Sequence, residues 1–323
     1  MKVFYGQLPH DGCLTRPKVT LGTFDGVHLG HQRVLRDLVA WARSTNSDAV
    51  VITFDRKPRD MLSNSPTDFI TSLPHRLKWF ERLGMDAVLV LTFEPRLAAM
   101  SPEAFVREII VGSLGASGVL LGHDTRFGRA GLGDLGLLDA MGRTLGFEVC
   151  STAVVTMDGA PVSSTRIREA IHAGNLAVAE RLMGRRVRVL GTVVPGRAIG
   201  KTIGFPTANL DLHHEVRLPE GVYATQTLID GSWRNSVTNI GRVPTLRAGA
   251  SAVASDTVVV ETHVLDFSGD LYGRELELRF VAFLRPEKTF PSAQALAAQI
   301  ELDVIEARRQ LAQTDQCEME EPA

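Results

Sequence analysis

Ten residues near the start of the chain bring glycines, an acid and two imidazoles together: Gly22-Thr23-Phe24-Asp25-Gly26-Val27-His28-Leu29-Gly30-His31. The apolar run Val19–Phe24 leading into them reads as a buried strand, and His28–Arg43 has the spacing of an amphipathic helix. Glycine at such a junction lets the backbone approach a phosphate. The first helical turn adds unpaired N–H groups and the positive end of the helix dipole. The dipole contributes only about 0.3–1 kcal/mol, or ~2 when partly buried. That is too little for phosphoryl chemistry, so His28 and His31, on one face of the first turn, make sense as added donors. One histidine alone would be an ordinary surface residue beside a capping aspartate. The whole pattern reads as a phosphate site that includes Gly22, Phe24, Asp25, Gly26 and Gly30.

Two further segments have anion-binding chemistry. Ser163-Ser164-Thr165-Arg166-Ile167-Arg168 opens a helix with hydroxyls and arginines. Standing alone it would be a Ser/Thr cap with solvated arginines; paired with the first site it becomes a second set of phosphate donors. Charge-assisted hydrogen bonds of about 1.5–3 kcal/mol each suit the charge that develops on pyrophosphate. Gly196-Arg197-Ala198-Ile199-Gly200-Lys201-Thr202 invites a P-loop reading, which fails. A P-loop has four residues between its first glycine and Gly-Lys-Thr, and here there are three. It also opens a helix, whereas Ile203-Gly204-Phe205-Pro206-Thr207-Ala208-Asn209-Leu210 continues with a proline and extended residues.

The elements around these motifs imply an α/β chain of two parts. Val19–Phe24, Ala49–Phe54, Ala87–Phe93, Gly118–Leu121 and Phe147–Val155 read as buried strands. They alternate with helical spacing over His28–Arg43, Pro74–Leu83, Pro102–Val111 and Leu135–Leu145. Alternation of this kind implies a doubly wound parallel sheet, which binds ligands at the carboxyl ends of its strands. After Gly184-Arg185-Arg186 the pattern changes to short strands, Val187–Val194, Gly221–Leu228, Trp233–Ile240, Thr257–Asp266 and Glu275–Leu284. Turns between them suggest a small antiparallel β-barrel. A C-terminal helix over Ser292–Leu311 follows, with Leu296, Ile300 and Val304 on one face. The expected division is 1–184, 185–313 and an acidic tail, 314–323, that reads as disordered.

Composition narrows the partners. The 323 residues carry a net charge of −2, with 44% hydrophobic and 22% charged residues, and show no basic stripe of a nucleic-acid binder. No run approaches the ~18 apolar residues of a membrane span, and the N-terminus lacks a signal-type apolar stretch. Cys13, Cys150 and Cys317 are far apart and lack metal-ligand spacing. Small-molecule substrates, no nucleic acid, no membrane and a cytoplasmic location are the expectations.

His-x-Gly-His early and Ser-Ser/Thr-x-Arg late resemble the nucleotidylyltransferase superfamily. The run from Gly191 through Gly196, Gly200, Lys201 and Thr207 to Leu210 closely resembles the riboflavin kinase signature. Glu261-Thr262-His263-Val264-Leu265-Asp266-Phe267, Asp270-Leu271-Tyr272-Gly273 and Leu284-Arg285-Pro286-Glu287-Lys288-Thr289-Phe290 resemble its later blocks. Together, over roughly residues 15–310, the chain resembles the bacterial bifunctional riboflavin kinase/FAD synthetase family. That resemblance implies ATP-dependent phosphorylation of riboflavin to FMN by the C-terminal module and adenylylation of FMN to FAD by the N-terminal one. It assigns Thr207 and Asn209 to the Mg²⁺ of ATP and Glu261 to the base that takes the ribityl hydroxyl proton. Gly196, Gly200 and Lys201 fall to the phosphate loop. His28, His31, Ser164, Thr165, Arg166 and Arg168 fall to the phosphates of ATP in the first module, and Asp124, Arg126 and Phe127 to its nucleotide and flavin pocket.

Two segments depart from the family pattern, both in the first module. Phe54-Asp55-Arg56-Lys57-Pro58 has Arg56 where a proline is usual, which frees φ and adds two positive charges to the loop. In Asp124-Thr125-Arg126-Phe127, Thr125 replaces an aromatic residue that could stack on a planar ring. A riboflavin kinase or paralogue whose adenylylating module is weak or acts on a modified flavin, or a flavin- or nucleotide-binding scaffold without catalysis, are the alternatives; the second has His28, His31, Arg166, Thr207, Asn209 and Glu261 against it.

Overall fold

The computed structural model describes residues 1–6, 12–56, 68–196, 199–243 and 257–315, so Lys57 and residues 316–323 of the expected tail lie outside the described residues. The chain divides into two compact units, Met1–Ser164 and Thr165–Ala323.

In the first unit, β1 (Lys2–Tyr5), β2 (Lys18–Leu21), β3 (Ala49–Phe54), β4 (Ala87–Leu91), β5 (Gly118–Gly122) and β6 (Glu148–Thr152) form one parallel sheet. Its order is β1-β4-β3-β2-β5-β6. From β2 the chain winds outward through β3 and β4, then returns to place β5 on the other side of β2. The topological switch point therefore lies between β2 and β5, where an open parallel sheet binds its ligand. Strands β2, β3 and β4 are buried along their whole length, as expected where helices cover both faces.

The two faces can be read residue by residue. Ala49 and Val51 pack with Leu35 and Leu38 of α1 (Leu29–Ser44) and Phe80 of α2 (Leu73–Arg82). Val50 and Ile52, of the opposite parity, pack with Phe105, Ile109, Ile110 and Leu138 on the other side. That second face begins with two short turns, α3 (Pro95–Ala99) and α4 (Pro102–Ala104), and includes α5 (Leu135–Leu145). Residues Phe105–Ser113, expected as ordinary α-helix, form a wider π-helical segment. Its apolar residues recur every four to five positions (Phe105, Ile109, Ile110, Leu114), which suits the wider turn.

At the amino end of the sheet Lys18 is fully buried, with its ammonium 3.2 Å from Glu148 and 4.3 Å from the Trp41 ring centre. A Cβ on Gly118 would lie 2.4 Å from Trp41, so this close packing requires glycine there. Strand β1 was not expected from the sequence, and β2 ends at Leu21, short of the expected Phe24. A short hairpin, β7 (Thr156–Met157) and β8 (Ala160–Pro161), closes the unit.

In the second unit, α6 (Ser164–His172) and α7 (Leu176–Met183) precede a closed antiparallel barrel. Its strands are β9 (Arg188–Val194), β10 (Ala208–Asp211), β11 (Gly221–Ile229), β12 (Ser232–Val243), β13 (Thr257–Val264) and β14 (Glu275–Arg285). They close in the order β10-β13-β12-β11-β14-β9. A one-turn helix, α8 (Ile199–Thr202), stands between β9 and β10. The sequence pattern shows five of these strands; β10 is only four residues long and follows Pro206 too closely to be read as one. The C-terminal helix α9 (Ala293–Asp315) packs Val304, Ala307 and Leu311 over Val222, Ala224 and Val237.

Residues of the other parity form an unusual interior for so small a barrel. Thr227, Ser236, Thr225, Thr238 and Thr262 are all buried and join in one chain of hydroxyls, with links of 2.7–2.9 Å. Thr227 donates to Ser236 and Thr238 donates to Thr262, so the three inner hydroxyls each donate one bond and accept one, with Thr227 the donor end and Thr262 the acceptor end. Thr238→Val removes two links, to Thr225 and to Thr262, and should lower the stability of the barrel by about 1–3 kcal/mol. Hydrogen exchange of the strand amides should read this as loss of protection, while Thr238→Ser should keep the wild-type pattern.

Candidate active sites

The segment 22–28 leaves β2 at the switch point and turns sharply before α1. Phe24, Gly26 and Val27 all have positive φ, of 52°, 87° and 38°. A β-branched residue in that region is a genuine outlier, so the surroundings must hold it there. Asp25 is 4% exposed, and its carboxylate accepts the amides of Ile70 at 2.7 Å and Thr71 at 3.2 Å. The Gly26 amide donates to the Thr71 hydroxyl at 2.9 Å, and the Ser164 hydroxyl donates to the Asp25 carbonyl at 2.8 Å. Within the pattern, Asp25 thus shapes the loop, with its charge directed at backbone amides. Buried Gln32 donates to the Val27 carbonyl at 2.9 Å and fixes the other end.

This frame presents the two histidines. His28 is the N-cap residue of α1, and its Nδ1 accepts the His31 amide at 3.4 Å. With Nδ1 accepting, a neutral His28 carries its proton on Nε2, where it can be donated to a phosphate oxygen. The rings stack at 3.6 Å, and Phe24 sets its ring edge-on to His31 at 5.2 Å. A Cβ on Gly30 would lie 3.2 Å from the His28 ring. The first turn of α1 has no acidic residue, which leaves its dipole open to an anion.

The remaining first-module candidates fall into distinct places. Ser164 begins α6, with Thr165, Arg166 and Arg168 following it on the same helix. Asp124 and Arg126 are exposed on the turn after β5, and Arg126 pairs with Asp134 at 3.2 Å. Asp134 also accepts the Leu137 amide as the α5 cap; this bond, aided by Arg126, holds its carboxyl below the usual carboxylate range. Phe127 is a core residue: its ring is 5% exposed and sits 6.2 Å from Phe105. Its backbone pairs with that of Gly133. The residue that the motifs do not reveal is Arg76, fully buried and bonded to the carbonyl of Thr23. Nothing in its sequence neighbourhood distinguishes it from an exposed helix arginine.

In the barrel, strand register assembles the second site. Asn209 on β10 lies opposite Glu261 on β13, and Glu261 lies opposite Asn239 on β12, so the three form one row across neighbouring strands. Glu261 is half-buried and Asn209 is 7% exposed. Asn239 was not singled out by the motifs; only the pairing reveals it. A Cβ on Gly196 would come within 2.0 Å of the Asn209 amide group, and one on Gly200 within 2.2 Å of the Phe205 carbonyl. Neither position has room for a Cβ. Phe205 donates its amide to Gly200 at 2.8 Å, and His263 bonds the Pro206 carbonyl at 2.7 Å, just before Thr207. Lys201 is exposed on α8. The single turn of α8 giving way to a strand confirms that this is not a P-loop.

A glycine- and histidine-bearing strand-to-helix turn at a sheet switch point, followed by a closed barrel with Asn209, Glu261 and Asn239 in one row, has the features of a two-module, nucleotide-dependent transferase. Residues 12–166 match the FAD synthetase family and residues 183–311 the riboflavin kinase family. The chain belongs to the bifunctional riboflavin kinase/FMN adenylyltransferase family. The bifunctional enzyme of Escherichia coli strain K12 is 36% identical over 304 residues, 94% of each chain. That of Pseudomonas fluorescens is 37% identical over 300 residues, 93% of each chain. A crystal structure described as a macrolide-efflux protein from Streptococcus pneumoniae superposes with a TM-score of 0.78 at 26% identity, covering 95% of this chain and 99% of that one. No helix among the described residues is long and apolar enough to cross a membrane. The chain carries the family's two activities in module order, FMN adenylylation first and riboflavin phosphorylation second.

Gly200→Ala should reduce riboflavin phosphorylation at least about tenfold, because the added methyl displaces the Phe205 backbone, and a misplacement of ~1 Å can cost 10²-fold. Adenylylation of supplied FMN, followed by chromatography of the flavins, should stay within about twofold of wild type.

Proposed function

We propose that the row Asn209–Glu261–Asn239 and the stacked pair His28–His31 are the working centres of the two reactions, within modules spanning 1–184 and 185–313. In the kinase module Glu261 takes the proton from the riboflavin 5′-hydroxyl as that oxygen attacks the γ-phosphate of ATP. A carboxylate placed within hydrogen-bond reach of a primary alcohol suits this role. Thr207 and Asn209 would hold Mg²⁺, which when bound neutralises charge on the transferring phosphate. Their oxygen donors suit a hard cation that keeps several waters. Gly196, Gly200 and Lys201 close over the phosphates.

In the adenylylation module the FMN phosphate attacks the α-phosphate of ATP, and pyrophosphate leaves. No covalent enzyme intermediate is needed, so the protein's work is alignment and charge stabilisation. His28 Nε2–H and His31 donate to the phosphates, while Gly22, Gly26 and Gly30 keep the backbone close. Ser164, Thr165, Arg166 and Arg168 supply further donors at the start of α6. Asp124 and Arg126 border the nucleotide and flavin pocket, with Phe127 behind it. The single observation that carries this reading is the register that puts Asn209, Glu261 and Asn239 in one row. A cytoplasmic location fits enzymes whose substrates are ATP and free flavins.

Glu261→Ala should lower FMN formation by about 10²–10⁴-fold and leave adenylylation of supplied FMN unchanged. His28→Ala with His31→Ala should do the reverse. Time courses with ATP, Mg²⁺ and either riboflavin or FMN separate the two reactions. Loss of both by either variant, in a folded chain, overturns the two-centre assignment.

A further inference from the structure

We infer that Arg76 is a positioning residue for adenylyl transfer, holding the nucleotide loop and the neighbouring β3 loop in one fixed arrangement; this rests on the reading of residues 22–31 as the nucleotide site. Arg76 lies in the first turns of α2 and is 0% exposed. Its Nη1 donates to the Thr23 carbonyl at 2.5 Å and to the Thr53 hydroxyl at 3.0 Å, and its Nη2 donates to the Phe54 carbonyl at 3.0 Å. The guanidinium also lies 4.9 Å from the Phe69 ring centre. One planar group therefore touches three segments at the carboxyl edge of the sheet.

Each contact leads into the chemistry. Thr23 is the last residue before the positive-φ stretch that presents His28. Phe54 ends β3 and opens the loop of Asp55 and Arg56, on the same edge. Phe69 precedes Ile70 and Thr71, whose amides hold Asp25. The Phe54 carbonyl and the Thr53 hydroxyl are buried and need partners, and Thr23 is half-buried. The guanidinium supplies several N–H groups in a fixed plane and can serve two strand ends at once. A lysine ammonium is a point donor on a flexible stem and cannot reproduce that span. The fixed Thr23 carbonyl also sets the peptide plane from which Phe24 enters its left-handed conformation, so the guanidinium acts on the loop's starting orientation.

The test uses the full-length chain with Arg76→Lys and Arg76→Met. Steady-state adenylylation of FMN should show kcat reduced by about 10–100-fold in both variants, the scale of an ångström-sized misplacement. KM values for ATP and FMN should stay within about threefold, because each loop still meets its own substrate. Riboflavin phosphorylation by the same preparations should stay within about twofold. FAD, the product of this site alone, should still bind at one equivalent per chain, which separates misalignment from loss of folded sites. A wild-type kcat in either variant overturns the inference, and so does a fall in FAD stoichiometry that matches the fall in rate. His28→Ala with His31→Ala, assayed in parallel, tests the underlying reading. If that variant adenylylates normally, the loop assignment fails, whatever Arg76 does.

Discussion

The first module depends on holding a sharply bent segment at the end of a buried parallel strand. Between Leu21 and Leu29 the chain must leave the sheet, reverse its backbone handedness and start a helix within a few residues. No hydrogen-bond ladder reaches that far. The loop is secured by buried charged groups instead: Asp25 accepts backbone amides from the 70–71 segment, and Arg76 donates to carbonyls at the ends of two strands. Charge-assisted bonds of about 1.5–3 kcal/mol each are large enough to hold φ angles whose strain is of order 1–3 kcal/mol per residue. The acid and the arginine thus make an improbable backbone conformation the stable one, and the histidine pair inherits its placement from it.

The barrel solves the same problem by closure. With every strand paired, register alone decides which side chains meet, and a shift of one residue would move Glu261 to the opposite face. The interior hydroxyl chain reinforces the register, because its links span β11, β12 and β13 and would be broken by any slip. Thr262, one residue from Glu261, belongs to that chain, so the inward residue of the pair anchors the strand and the outward one is available for chemistry. Outside, α9 is drawn onto the sheet by Val304, Ala307 and Leu311, and its Asp303 takes Arg285 in a two-pronged ion pair at 2.7–2.8 Å.

Much of this could be read from the sequence, for identifiable reasons. The buried strands β2 to β5 are nearly continuous runs of branched residues, and α1 and α5 carry a clear helical period, so the doubly wound class follows. The phosphate segments are legible because glycine, histidine and hydroxyl residues fall at strand–helix junctions. What escaped depends on long-range contact. Strand β1 is short and half exposed, and β10 is masked by Pro206. Asn239 is an ordinary strand residue until register sets it beside Glu261, and Arg76 looks like any helix arginine until burial is known. Phe127 sits beside Asp124 and Arg126 in the sequence, yet on this turn its ring points into the core while theirs stay at the surface. Asp25 shows the same limit, since a carboxylate in a phosphate motif looks like a ligand until its amide partners are visible.

The two phosphate sites also explain why departures from the family pattern fall where they do. At the helix start, the proposed recognition rests on backbone amides, glycine clearance and the imidazole pair, and each of these depends on buried neighbours that tolerate little change. Arg56 and Thr125 lie outside that frame: Arg56 is exposed beyond the end of β3, and Thr125 closes a turn through its amide to the Gly122 carbonyl at 3.0 Å. Neither touches the groups that set the positive-φ segment. A proline at position 56 would stiffen its loop and an aromatic at 125 would widen the stacking surface, so both positions bear on how a flat ring is received. In the proposed site, the phosphate-binding and ring-receiving parts are thus physically separable: the first is fixed by buried charge, while the second lies on loops.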